Sequence, residues 1–245
     1  MIEEIGLSLV LTSIFSATGA LLLFMSRERF EHLTQFLISF SAGTIFGGVF
    51  IHLVFRLASN YTRLSGLLVV IGLVLSFMLE RVVHWHCHHR GTHEEPVPYV
   101  LAAGDGIHNI LDGILIATSF LVSISSGIAA TVAVIAHKIP KELGDFGVMV
   151  DYGFSRMKAL AVNVGISVFM FLGAGLVLGV SSISSGILTI LLPLVIGNFV
   201  YIAGSDLLPD FKHSENWFRH LAVFSLGVGL MYLVPYFKTL VSTVL

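Results

Sequence analysis

The stretch Ala103-Gly-Asp-Gly-Ile-His-Asn-Ile-Leu-Asp-Gly113 places two carboxylates, an imidazole and an amide in a segment that is otherwise apolar. Counted from Asp105, the other three polar side chains lie three, four and seven positions further on, and they are His108, Asn109 and Asp112. On a helix these spacings form one face. Because a polar face inside a membrane is energetically costly, it usually lines a cavity or a pathway. We therefore predict a buried functional site on this helix.

The composition points to a membrane protein. The chain of 245 residues is 56% hydrophobic and 11% charged, with a mean hydropathy of +0.93. Soluble domains carry about one quarter charged residues, so little of this chain is left for a soluble domain. A net charge of -2 without a basic tract argues against a nucleic-acid partner. The single cysteine, Cys87, excludes an intramolecular disulfide and a thiolate cluster.

Eight segments fit the requirement of about 20 apolar residues for one crossing of a bilayer. These predicted spans 1 to 8 cover residues 5–25, 33–58, 64–83, 97–121, 127–150, 159–180, 186–208 and 220–241. The sequence thus predicts an all-α integral membrane protein with eight transmembrane helices in one domain, residues 1–245. The first span lacks a basic leader, so we interpret it as a retained helix rather than a signal peptide.

The distribution of basic residues predicts the orientation of the chain. An even number of spans places both termini on one side of the membrane, and cytoplasmic loops are enriched in Lys and Arg. With both termini outside, the inner loops hold Arg27, Arg29, Arg81, Arg90, Arg156, Lys158, Lys212 and Arg219. The outer side then holds Arg56, Arg63 and Lys238. We therefore predict outside termini, and the compact chain favours a cell (inner) membrane.

A second polar run, His137-Lys-Ile-Pro-Lys-Glu-Leu-Gly-Asp145, lies in predicted span 5. A short turn near residues 123–126 joins spans 4 and 5, so they should form an antiparallel hairpin. In such a hairpin, two residues equally far from the turn in sequence lie at the same depth in the membrane. Their residue numbers then sum to about 249. The pairs so predicted are Asp112 with His137, His108 with Lys141, and Asp105 with Asp145.

This arrangement is typical of a divalent-metal site. An imidazole and a carboxylate four residues apart face a second imidazole across the hairpin, and zinc takes His nitrogen and Asp oxygen ligands, as do iron and manganese. The alternative is a hydrogen-bonded polar seam that holds two helices together. We favour the metal site because burying six ionisable groups is too costly for packing alone.

The two motifs resemble the paired signature of the ZIP (Zrt-, Irt-like protein) divalent-metal transporters. The likeness is closest to the branch whose fifth helix reads His-Glu-Ile-Pro-His-Glu-Leu-Gly-Asp. It extends to the eight helices, to the outside termini and to a histidine-rich loop after span 3. It also covers Gly47-Gly-Val-Phe-Ile-His52 in span 2 and Tyr201-Ile-Ala-Gly-Ser-Asp-Leu-Leu-Pro209 in span 7.

The resemblance implies transport of a divalent metal toward the cytoplasm, with zinc first and iron, manganese or cadmium as further substrates. It implies a sliding motion of spans 1, 4, 5 and 6 against spans 2, 3, 7 and 8, and it is compatible with a homodimer in the lipid bilayer. The first-site ligands that it implies are His108, Asp112 and His137, with Asn109 at a second site. We add Glu142 and His52 to this metal set, and we assign the continuing pathway to Asp105, Asp145, Lys138 and Lys141.

Two lysines depart from the pattern of that branch, because Lys138 replaces Glu and Lys141 replaces His. A charged lysine binds no metal. We therefore hypothesise that one lysine ammonium takes the place of a second metal ion. Lys141 is expected to reach Asp112 or Glu142, and Lys138 is expected to reach Glu142 or Asn109.

The segment 84–96 between spans 3 and 4 is predicted to be a histidine-rich cytoplasmic loop. It contains His84-Trp-His-Cys-His-His89, and short His-rich tracts bind metal weakly. The candidate ligands are His86, His88 and His89. The loop could receive or sense the ion at the exit, or it could anchor the chain among lipid headgroups through Trp85.

Two further functions compete with transport. An intramembrane metallohydrolase would need three protein ligands, a metal-bound water and a general base, for which Glu142 is the candidate. A sensor would bind metal without moving it, which the lysines would suit. Further acidic residues follow the site toward the predicted cytoplasmic side. Such a series favours a transported ion over one that stays bound. We therefore expect a transporter and not an enzyme.

Overall fold

The computed structural model describes residues 1–18, 27–58, 61–89, 96–183, 185–207 and 217–244, and these ranges are helical with no strand. The first half contains α1 (Ile2–Phe15), α2 (Arg27–Gly47), a π-helical segment (Gly48–Leu53), α3 (Val54–Ala58), α4 (Arg63–His89) and α5 (Pro96–Val122). The second half contains α6 (Ile124–Asp151), α7 (Arg156–Ile166), α8 (Phe169–Ile183), α9 (Leu188–Tyr201), a π-helical segment (Ile202–Leu207) and α10 (Trp217–Val244). The predicted all-α class is confirmed.

Among the described residues, five stretches are long and apolar enough to cross a membrane. They are Phe36–Ala58, Arg63–Val82, Leu101–Val122, Arg156–Ser181 and Trp217–Tyr236, and Leu188–Gly204 is a shorter apolar helix. Helix α1 is described over 14 residues only, and α6 has 28 residues but carries four charges near its centre. The count of eight spans therefore stays a prediction.

The helices divide into an enclosed layer and an outer one. The apolar stretches Phe36–Ala58 and Leu101–Val122 are each 61% buried, whereas Arg63–Val82 is only 17% buried. Helices α4, α8 and α10 expose rows of large apolar side chains, such as Leu67, Val70 and Val74 on α4. An exposed surface of this kind suits contact with lipid tails. Helices α2, α5 and α6 therefore form the interior, where the polar residues lie.

The hairpin between α5 and α6 turns on a single residue. Ser123 has an extended backbone, and its Oγ accepts a hydrogen bond of 3.0 Å from the backbone N–H of Ser126, which caps the start of α6. The predicted antiparallel hairpin is confirmed. Its mirror lies at Ser123, so residues at one depth have numbers that sum to about 246 and not to about 249. The predicted pair of Asp112 and His137 is in contact, whereas His108 lies against His137 and not against Lys141.

Three helix pairs pack so closely that glycines face the backbone of the partner. An ideal Cβ at Gly113 of α5 would lie 1.9 Å from the carbonyl oxygen of Met170 on α8, and one at Gly173 of α8 would lie 2.0 Å from that of Ile110 on α5. The same reciprocal arrangement joins α4 to α9 through Gly72 and Gly197, and α2 to α10 through Gly43 and Gly227. Small residues allow membrane helices to approach in this way.

Helix α4 is longer than predicted. It continues through His89, six residues beyond the predicted end of span 3, because neither Gly nor Pro interrupts the sequence before Gly91. The first six residues of the predicted loop 84–96 are therefore helical in backbone. The side chains of His86, His88 and His89 lie outside the described part of the chain, so their proposed metal role stays a prediction.

The glycine contacts predict how α8 responds to a single added methyl group. Gly173→Ala should destabilise the protein by about 1–3 kcal/mol, because the new Cβ overlaps the α5 backbone. Gly175→Ala on the same helix is the matched control, since nothing lies within 4 Å of its Cβ position. Thermal unfolding in detergent should separate the two variants. Equal melting temperatures would contradict the close packing.

Candidate metal centre

His108, Asp112 and His137 converge on one point between α5 and α6. Their ligand atoms lie within 4.8 Å of one another, and this is the one group of its kind in the described residues. The two Nε2 atoms are 3.2 Å apart, and each lies 3.7 Å from Oδ1 of Asp112. The structure therefore brings together the three residues that the sequence assigned to a first metal site.

These distances fit one face of a zinc tetrahedron. Two nitrogens that each lie about 2.0–2.1 Å from a tetrahedral zinc are about 3.3 Å apart, and a nitrogen and a carboxylate oxygen are about as far apart. The observed triangle of 3.2, 3.7 and 3.7 Å needs only a small contraction. A fourth position would stay open for water or another oxygen. The three side chains can thus hold a transition-metal ion without rearrangement of the helices.

The backbone of α6 orients His137 for binding. Its Nδ1 lies 3.1 Å from the carbonyl oxygen of Ala133, one turn earlier. Because a carbonyl only accepts, Nδ1 must carry the proton, and in the neutral ring Nε2 is then free to bind a metal. That Nε2 is the atom that faces His108 and Asp112. Buried at 3% exposure, His137 is held in the tautomer that a metal ligand needs.

Lys138 lies beside this group, where the sequence hypothesis expected it. Its Nζ donates to Oδ1 of Asn109 at 2.6 Å and lies 2.7 Å from Oε1 of Glu142. The amide nitrogen of Asn109 donates to the backbone and to the carboxylate of Asp105, at 2.8 and 3.1 Å. Asn109 therefore presents only its oxygen to the lysine. Glu142 and Asn109 are fully buried and form no part of the histidine and Asp112 triangle.

Lys141 takes different partners from those predicted. Its Nζ contacts Asp105 across the hairpin and lies 2.8 Å from Oδ2 of Asp145 on its own helix. The predicted partners, Asp112 and Glu142, are therefore wrong, because the hairpin turns at Ser123 and brings Lys141 opposite Asp105. His108 correspondingly contacts His137 rather than Lys141. The two lysines thus compensate separate carboxylates.

Several buried oxygens near the centre have no hydrogen-bond partner in the described part of the chain. They are Oδ2 of Asp112, Oε2 of Glu142 and Oδ1 of Asn163. Asn163, on α7, donates through Nδ2 to the backbone oxygen of Glu142 at 3.2 Å, which places it against α6. Oxygens of this type are ligands for divalent cations. The centre therefore contains oxygen atoms that could bind a cation and that no hydrogen bond in the described part of the chain occupies.

A cavity of about 370 Å³ opens from this centre toward α4 and α9. His108, His137, Asp105, Lys141 and Asp145 line it on the side of α5 and α6. Its opposite wall carries Ser76 and Glu80 of α4 with Asn198 and Tyr201 of α9. The cavity therefore connects the two histidines of the triangle to the carboxylates of Asp105 and Asp145.

Sequence reasoning missed Glu80. Its carboxylate accepts a hydrogen bond from the hydroxyl of Tyr201, and Ser76 donates to Oδ1 of Asn198 at 2.6 Å on the same wall. The signal was present, because Glu80 is the one acidic residue in predicted span 3 and an ionisable residue inside a span marks a functional site by default.

His52 lies in the π-helical segment and contacts α10. Its Nε2 is 2.9 Å from the backbone oxygen of Met231, so it donates there. His52 is not in the group of ligand atoms formed by His108, Asp112 and His137. The contact accounts for its burial, and a role in the pathway stays a prediction.

The fold and the site define a helical integral membrane protein with a group of potential transition-metal ligands between two interior helices. Comparison with known proteins gives its family. The family model described as ZIP zinc transporter matches residues 94–235. Zinc transporter ZIP13 of Pongo abelii is 31% identical over 230 residues, which are 84% of this chain and 68% of that protein. The chain belongs to the ZIP family.

Two longer relatives match over part of their length. Zinc transporter ZIP6 of Homo sapiens is 30% identical over 150 residues, which are 57% of this chain and 20% of that protein. Zinc transporter ZIP10 of Danio rerio is 33% identical over 122 residues, which are 49% of this chain and 14% of that protein. The chain thus spans about a fifth or less of the length of these relatives.

The geometry predicts that Asp112→Ala abolishes high-affinity zinc binding, because it removes the carboxylate shared by both imidazoles. Lys158→Gln is the control outside the centre. Its side chain contacts Tyr99 and Phe154, so zinc binding should be kept. Isothermal titration of the purified proteins with zinc measures both. Unchanged affinity in Asp112→Ala would place the metal elsewhere.

Proposed function

We propose that this protein carries divalent transition-metal ions, zinc above all, across the membrane toward the cytoplasm. The observation that carries this proposal is the triangle of His108, Asp112 and His137 on two interior helices, with one helix inside a candidate span. Relatives named zinc transporters support zinc as the substrate. Iron, manganese and cadmium share enough ligand chemistry to be further substrates. The ion is bound here as cargo.

The exit route runs from the triangle along the cavity wall. Asp105 and Asp145 lie on this wall, and both contact the ammonium of Lys141. An ion that leaves the histidines meets these carboxylates next and competes with Lys141 for them. Lys141 is 29% exposed, so its long side chain has room to move aside. This competition would keep the ion from settling at a second strong site.

An intramembrane metallohydrolase fits these contacts less well. Its general base must reach a metal-bound water, yet the candidate Glu142 is fully buried and paired with Lys138. The protein is therefore proposed to be a transporter and not an enzyme. A sensor that binds without transport is the second candidate, because Lys141 already neutralises the acidic residues that an exit route would use.

Uptake of labelled zinc into proteoliposomes separates the two candidates. The wild type should show saturable uptake, and Asp112→Ala should reduce it to the level of empty vesicles because the ion loses its shared ligand. Lys158→Gln is a control, since Lys158 contacts Tyr99 and Phe154 away from the centre. Zinc binding without uptake in the wild type would favour the sensor.

The proposed orientation has both termini outside and the segment 84–96 in the cytoplasm. The single cysteine, Cys87, is a natural probe of that segment. An impermeant maleimide should label it only after permeabilisation of cells, because inner loops are the basic ones. In a Cys87→Ser background, Ile2→Cys should be labelled in intact cells, since Ile2 is 72% exposed near the N-terminus. The reverse pattern would invert the topology.

The cell (inner) membrane is the proposed location, and a homodimer is the proposed assembly. Both follow from the family resemblance and the compact chain, and the transport mechanism above does not depend on either.

A further inference from the structure

We propose that the ammonium of Lys138 permanently fills a second cation position beside the histidine triangle, so that the protein binds one metal ion and not two. This inference rests on the proposed metal-binding function of His108, Asp112 and His137. It concerns how many ions the centre takes and which side chain sets that number. Neither the family assignment nor the triangle itself determines the answer.

The contacts of Lys138 are those of a bound cation. Its side chain is 1% exposed, and its Nζ lies 2.6 Å from Oδ1 of Asn109 and 2.7 Å from Oε1 of Glu142. An ammonium is expensive to bury unless oxygens surround it. The ammonium thus lies between an oxygen of α5 and an oxygen of α6, on the residue that follows the metal-ligand candidate His137.

Three buried oxygens on the contacted carboxylate of Glu142 and on nearby residues of the centre could serve as metal ligands. Oε2 of Glu142, Oδ2 of Asp112 and Oδ1 of Asn163 are buried and have no hydrogen-bond partner among the described residues. An ammonium has three N–H groups and cannot satisfy a full coordination shell. Carboxylate and amide oxygens are ligands for divalent cations. The same pocket of oxygens would therefore accept a metal ion if the ammonium were removed.

The formal charges of the cluster match one divalent ion. Its four carboxylates are Asp105, Asp112, Glu142 and Asp145, and its two ammonium groups are those of Lys138 and Lys141. With neutral histidines this leaves two negative charges, which a single divalent cation neutralises. In the variant Lys138→Glu, five carboxylates and one ammonium leave four negative charges, which two divalent cations neutralise. Burial makes such a balance important, because uncompensated charge is costly inside a membrane.

The geometry selects Lys138 rather than Lys141 for this role. Lys141 is 29% exposed, lines the cavity and contacts Asp105 and Asp145. Its partners do not include Asn109 or Glu142, whose oxygens define the second position. Lys141 therefore belongs to the route away from the centre, and Lys138 belongs to the centre.

The number of zinc ions bound per chain tests this inference. Purified full-length protein in nanodiscs is dialysed against zinc, and the bound metal is measured by elemental analysis. The wild type should bind one ion per chain, and Lys138→Glu should bind two. Lys138→Arg keeps the charge and should bind one. Lys158→Glu makes the same change of charge outside the centre and should also bind one.

Two results would overturn the proposal: two tightly bound ions in the wild type, or one ion in a folded Lys138→Glu variant. A circular dichroism melt establishes folding. If that variant does not fold, anomalous zinc diffraction from the wild type decides the matter. A single peak at the histidine triangle with Lys138 on Asn109 supports the proposal, and a second peak beside Glu142 refutes it.

The same experiments separate this inference from the proposed function. A wild type that binds no zinc, or an Asp112→Ala variant that binds zinc as well as the wild type, contradicts the metal role of the triangle and this inference with it. One ion in the wild type, none in Asp112→Ala and one in folded Lys138→Glu leave the triangle intact and overturn the role of Lys138 alone.

Discussion

The rest of the structure depends on the compensation of charges buried between α5 and α6. Four carboxylates and two ammonium groups lie on these helices in a protein whose outer surface is apolar. Each ammonium contacts oxygen atoms of buried or half-buried side chains. Lys138 contacts Glu142 and Asn109, and Lys141 contacts Asp105 and Asp145. Unpaired charges at this depth are costly. The contacts of Lys138 with Asn109 and of Lys141 with Asp105 therefore hold α5 against α6.

The surrounding helices provide the rigid frame that such a cluster needs. Reciprocal glycine contacts join α5 to α8, α4 to α9 and α2 to α10 at backbone distance, so these pairs have little freedom to slide within themselves. Helix α6 has no such partner and packs against α2, α5 and α7. A motion of α5 with α8 as one unit, past α4 with α9 as another, would change the cavity between them without disrupting either pair.

The centre combines two groups of side chains with different chemistry. The triangle of His108, Asp112 and His137 offers two nitrogens and one oxygen, which suits zinc and related ions. The position beside it offers oxygens only and holds a lysine. A tethered ammonium stabilises the carboxylates and repels a neighbouring ion at the same time. The combination supports the proposed transport, in which the metal ion is held and then released into the cavity.

The sequence by itself determined the membrane class, the α5–α6 hairpin and the three residues of the triangle. Composition identifies a membrane chain, and a spacing of four residues places His108 and Asp112 on one face of any α-helix. Only the tertiary structure decided which carboxylates the lysines contact and that Glu80 faces the centre across the cavity. The register of two helices depends on the residue at which the chain turns, here Ser123. Because residues meet across a hairpin only when they lie at one depth, a small shift of the turn gives Lys141 new partners.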